Sequence, residues 1–175
     1  MKILKMFSLK LANRSFKSKN EYLRKCGCEI GKGTRLLCSV NSFGTEPYLI
    51  KVGEDCLFSS NVTILTHDGG VKVLNSLNYF DGQKMDKAAR VVIGNNCFIG
   101  KNATVMPGIT IGDNVIVGVG SIVTKDVPSD SVVAGIPARR ICSIEEYYKK
   151  NLNGFYPTGG MSMEKKKAYL LENIK

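Results

Sequence analysis

The feature that most constrains this chain is a period of six. From Ile93 to Pro128 the sequence reads IGNNCF, IGKNAT, VMPGIT, IGDNVI, VGVGSI, VTKDVP. The first place is always aliphatic: Ile93, Ile99, Val105, Ile111, Val117 and Val123. The fifth is small or aliphatic: Cys97, Ala103, Ile109, Val115, Ser121 and Val127. Glycine takes the second place in four units, as Gly94, Gly100, Gly112 and Gly118. A period of six suits neither a helix nor one long strand, and hexapeptide repeats are the mark of a β-helix. Each unit is then a short strand plus a bend, and three units close one triangular coil. Six units make two coils, rising roughly 10 Å at one strand spacing per coil. First-place side chains are expected to fill the interior, with the fifth place packed beside them and the second-place glycines freeing the bends.

The template extends upstream. IGKGTR and LLCSVN place Ile30 and Leu36 inward, SFGTEPY interrupts as a small loop, and VGEDCL, FSSNVT and ILTHDG place Val52, Phe58 and Ile64 inward. Ile64 and Ile93 stand 29 positions apart, which is not a multiple of six, so residues 68–90 must loop out. Excursions of that length are usually functional or disordered. Residues 1–27 read as a helical segment, with Ile3, Leu4, Phe7 and Leu11 on one stripe. Pro128 and Pro137 end the regular coils. Residues 143–175 read as two short helices joined by NGFYPTGG, the first opened by a capping box of Ser143 and Glu146. The expected organisation is a helical segment 1–27, a mainly β domain 28–142 carrying the loop 68–90, and a helical tail 143–175.

A length of 175 residues with 43% apolar content supports one core with appendages. The net charge is +10, with lysines crowding both ends. Such a balance fits solvated ends, nucleic acid, an anionic membrane surface or an anionic ligand. No nucleic-acid motif or aromatic-interleaved basic stripe is present, so a nucleic-acid partner is not expected. The N-terminal stripe beside Lys2, Lys5 and Lys10 suits packing on its own domain or peripheral membrane contact. No apolar run is long enough to span a bilayer, and the start lacks a leader's apolar stretch and cleavage site. The expected location is cytoplasmic, at the inner face of the membrane if the stripe makes contact. The six cysteines are then expected as free thiols. Cys26 and Cys28 form a lone CxC without further ligands, and no metal is expected.

Six in-phase hexapeptides, THD at Thr66 to Asp68 and VTKDVPSDSVVAGIPARRI at 123–141 together resemble the left-handed β-helix acyltransferases of the hexapeptide-repeat superfamily. Within it, the resemblance is to the O-acetyltransferases of capsule and surface-polysaccharide synthesis. It spans about residues 28–141. It implies a left-handed coil, a homotrimer with active sites between neighbouring prisms, acetyl-CoA as the acyl donor and a sugar or glycan as acceptor. It also implies that the 68–90 loop leans over the neighbouring subunit.

His67 is the only histidine. THD resembles the family's catalytic segment, which implies His67 as the general base for a hydroxyl proton. Imidazole titrates near neutrality and suits that task. Asp68 is expected to orient the imidazole, to meet the acceptor, or simply to be a solvated loop carboxylate. No Cys or Ser stands in a nucleophile signature, so direct transfer in a ternary complex is expected. The positions matching the family's coenzyme A contacts are Gly100, Lys101, Val119, Gly120, Thr124, Lys125, Ala138 and Arg139, with Arg140 nearby. Bends and packing also explain the glycines and Val119, whereas Lys125, Arg139 and Arg140 suit phosphate. The chain departs from the family in carrying Phe98 where relatives often have Trp, and Arg139 where they often have Lys. The expected function is acetyl-CoA-dependent O-acetylation of a surface polysaccharide or its precursor. The alternatives are N-acylation of an amino sugar, with acetyl-CoA or an acyl-carrier protein as donor, and a non-enzymatic β-helical scaffold.

Overall fold

The structure is a computed structural model, and it describes residues 12–174. The stripe Ile3, Leu4, Phe7 and Leu11 lies outside the described residues. The chain divides into two compact units, one running to Ile144 and one from Glu145 onward.

Twelve short strands of the larger unit visit three sheets in rotation. β1 (Glu29–Ile30), β3 (Ile50–Val52), β6 (Val91–Ile93) and β9 (Thr110–Ile111) stack as one parallel sheet. β2 (Arg35–Leu36), β4 (Leu57–Phe58), β7 (Phe98–Ile99), β10 (Ile116–Val117) and β12 (Ser131–Gly135) stack as a second. β5 (Thr63–Ile64), β8 (Thr104–Val105) and β11 (Ile122–Val123) form the third. The register aligns the first places of successive coils: Ile30, Val52, Ile93 and Ile111 in one column, and Leu36, Phe58, Ile99, Val117 and Val133 in the next. Ile64, Val105 and Val123 make the third. All twelve are buried, and so are the fifth-place residues from Cys97 to Val127. The interior is three aliphatic columns, which is what a period of six requires.

The glycines act differently from the expectation. None of the second-place four has a positive φ. What they satisfy is the neighbouring coil: a Cβ on Gly94 would lie 2.7 Å from the Gly112 carbonyl carbon, and one on Gly100 would lie 2.6 Å from the Val117 oxygen. The left-handed bend sits at the fourth place, in Asp55, Asn61, Asn96, Asn102, Gly108, Asn114 and Gly120. Asn and Asp tolerate that conformation better than other side chains. Here they also stack: the Asn96 amide donates to Asn114 Oδ1 at 2.9 Å, and the Asn114 amide to Asp130 Oδ1 at 2.9 Å.

Each end of the prism carries a covering element, which shields strand edges there. At the first coil, helix α1 (Phe16–Lys25) buries Leu23 and supplies side-chain donors. Lys19 Nζ reaches the carbonyls of Leu36 and Cys38 at 2.9 and 2.8 Å, and the Asn20 amide reaches that of Thr34 at 2.8 Å. At the last coil, β13 (Ala138–Ser143) folds back antiparallel on β12. This hairpin was not expected from the hexapeptide period.

The smaller unit contains most of α3 (Ile144–Lys150) and all of α4 (Met163–Asn173). Its Tyr148 and Phe155 rings stack at 6.0 Å, and none of residues 145–174 is buried.

Candidate active site

The site follows from an irregularity in coil length. A regular three-face coil takes 18 residues, but Ile30 to Val52 takes 22. The extra residues fall where the first coil should turn its third corner. There the chain makes two short 3-10 turns, Val40–Phe43 and Pro47–Leu49, with Thr45 and Glu46 between them. Phe43 is buried against Phe58 at 5.8 Å and anchors the detour.

His67 lies at the same corner one coil later. It occupies the fourth place, where other coils make their left-handed bend, but its φ is not positive. The chain instead leaves the prism. Residues 68–90 run out through helix α2 (Val71–Ser76) and return antiparallel, with His67 bridged to Ala88. The Asp68 N–H donates to the Lys87 carbonyl at 2.8 Å, and the Ala89 N–H to that of Thr66 at 2.8 Å. The loop therefore contains a short helix and a paired return.

Glu46 is the centre of the polar network. Thr45 Oγ1 donates to its Oε1 at 2.6 Å and Thr66 Oγ1 to its Oε2 at 2.7 Å. His67 Nδ1 stands 2.9 Å from the same Oε2. The hydroxyls of Thr45 and Thr66, then the imidazole, hold the Glu46 carboxyl down at about 2. An ionised carboxylate only accepts, so Nδ1 carries the hydrogen, and in the neutral ring the lone pair is then on Nε2. The hydrogen bonds of Asp68 go elsewhere: its Oδ2 takes a 2.8 Å ion pair from Lys87 and its Oδ1 a 2.9 Å bond from the Gly70 N–H. The Lys87 hydrogen bond, then that from Gly70, holds its carboxyl below the usual range. Both residues line a cleft of about 610 Å³, together with Tyr48, Leu49, Lys72, Asn75, Lys84 and Asp86. Glu46 is the member of this network that the sequence reading missed. Its signal was the four extra residues in the coil beneath THD.

The residues matched to the donor fall into two groups. Lys125, Ala138, Arg139 and Arg140 converge with Val123, Val127 and Val133 on a second cleft of about 190 Å³. Thr124 and Lys125 follow β11 as His67 follows β5, so they share its corner, two strand spacings or roughly 10 Å along the prism. Gly100, Lys101, Val119 and Gly120 stand at the other edge of the β5-β8-β11 face. There the Gly120 N–H donates to the Lys101 carbonyl at 2.8 Å, and Val119 is exposed. One chain does not bring these four to the Lys125 cleft. Among the described residues no group of three or more His, Cys, Asp or Glu could hold a metal.

A family profile for the hexapeptide repeat of succinyl-transferase matches residues 90–125. Protein CapG of Staphylococcus aureus is 42% identical over 173 residues, 98% of this chain and 97% of CapG. The galactoside O-acetyltransferase of Escherichia coli K12 is 36% identical over 129 residues, 71% of this chain and 61% of that enzyme. A solved galactoside acetyltransferase in complex with coenzyme A shares the fold, with a TM-score of 0.57 and 23% identity, over 84% of this chain and 82% of that one.

Proposed function

Because the chain belongs to the hexapeptide-repeat acyltransferases, we propose that it moves the acetyl group of acetyl-CoA to a sugar hydroxyl of a surface polysaccharide or its precursor, with His67 as general base. The reading rests above all on the Thr45–Glu46–Thr66–His67 network. A base for an alcohol needs one ring nitrogen pinned and the other free. Glu46 accepts from Nδ1, and Nε2 takes the acceptor proton as the hydroxyl oxygen attacks the thioester carbonyl. The tetrahedral intermediate collapses with the thiolate leaving, and the imidazolium returns the proton to sulfur. Glu46 stays charged throughout and steadies the cation formed midway. Lys125, Arg139 and Arg140 face the phosphates of coenzyme A.

The chain is proposed to assemble as a trimer with a left-handed coil, a hand that an electron-density map reads directly. In a trimer, a neighbour's Gly100, Lys101, Val119 and Gly120 edge completes the donor groove that one chain leaves divided. The test is turnover of acetyl-CoA with a sugar acceptor by the wild type and His67→Gln. A loss of about 10²–10⁴-fold with the oligomer intact is expected. An equally active variant would remove His67 from the chemistry.

A further inference from the structure

The acceptor cleft carries a charge pattern that the catalytic network does not use. Three carboxylates and three lysines line it. Glu46 is engaged by two threonines and His67, and Asp68 and Lys87 are engaged with each other. That leaves Lys72, Lys84 and Asp86, none of which has an ion-pair partner among the described residues. The free balance is two ammonium groups against one carboxylate. Lys72 stands on α2 and Lys84 on the return limb, so both belong to the excursion opposite the base. The near wall offers Tyr48, which is 60% exposed, and Leu49. An open aromatic ring beside an aliphatic side chain receives the C–H face of a pyranose.

From this we propose that the acceptor is an anionic pyranoside, its ring on Tyr48 and its carboxylate or phosphate between Lys72 and Lys84. The proposal rests on the acetyltransferase reading above and deepens it.

The experiment titrates matched ligands into the purified protein, with and without saturating coenzyme A. The set is methyl hexosides, methyl hexuronides and hexosyl phosphates of gluco, galacto and manno configuration. For at least one configuration an anionic member should bind five-fold or more tightly than its neutral parent. In a Lys72→Gln/Lys84→Gln variant that ratio should fall to near one and lose its salt dependence. A general structural fault would weaken neutral and anionic members alike and leave the ratio standing. A hexuronide preference without a hexosyl phosphate preference identifies the carboxylate as the source, and the reverse identifies the phosphate. Equal binding of neutral and anionic members, no binding by any member, or a ratio unchanged in the double variant overturns the proposal. Coenzyme A binding is read in the same titrations, so failure of the donor reading shows separately from failure of this one.

Discussion

At the scale of single residues, the site is one carboxylate made to stay ionised. Glu46 is lowered to about 2 from an ordinary 4.5. A depressed carboxyl stabilises the fold fully above its unfolded value, and that contribution disappears as pH falls from about 4.5 towards about 2. Glu46→Gln should therefore flatten the acid limb of the unfolding profile in that window, as measured by circular dichroism against pH. The amide also presents a donor as readily as an acceptor, so the imidazole loses its enforced tautomer. The expected fall in kcat is at least about 10-fold and at most about 10⁴-fold. An unchanged kcat would leave Glu46 only a structural part. Asp68 illustrates the limit of adjacency: it is next to His67 in sequence, yet its partners are Lys87 and Gly70.

At the scale of elements, the coil depends on two kinds of glycine that the sequence does not distinguish. Gly94 has an ordinary φ but no room: a Cβ there would lie 2.7 Å from the Gly112 carbonyl carbon of the next coil. Gly120 has open space but a φ of 70°. Gly94→Ala must push coils apart and should cost about 1–3 kcal/mol. Gly120→Ala bears only the left-handed strain, about 1–2 kcal/mol. The two separate on relief: Gly120→Asn should recover most of the loss, because Asn holds the same bend at Asn96 and Asn114, whereas Gly94→Asn should be worse than Gly94→Ala. Denaturant unfolding with a constant m-value is the measurement. The excursion 68–90 obeys the same coil geometry, since its return limb pairs with Thr66 and Asp68 and brings the chain back into phase at β6.

At the scale of the whole molecule, charge and symmetry matter. The chain carries +10, and Lys125, Arg139 and Arg140 gather part of it on one cleft. Arg139→Ala should weaken coenzyme A binding about 3–10-fold at low ionic strength, and the gap should narrow at high salt as screening shortens. A salt-independent gap, or none, would move the phosphates elsewhere. Light scattering on the eluted protein should give three times the 19.2 kDa of one chain. A stable monomer with full activity would contradict a donor groove shared between copies.

The period of six by itself determined the coil, its inward columns and the place where the chain must leave it. Burial follows local periodicity, so Ile93 to Val123 could be read directly, and Ile64 to Ile93 exposed the excursion by failing to divide by six. The resemblance of THD pointed to His67 as the group able to move a proton. Tertiary structure alone decided the partner of that histidine. Glu46 is 21 residues away and reaches Nδ1 only because the first coil is four residues too long and its slack lies beneath His67. The role of the glycines was decided the same way, because a period records which places are small but not whether the limit is a dihedral angle or the backbone of the next coil. Stacking sets both, and stacking places residues side by side at a separation of one whole coil, where no local pattern reaches.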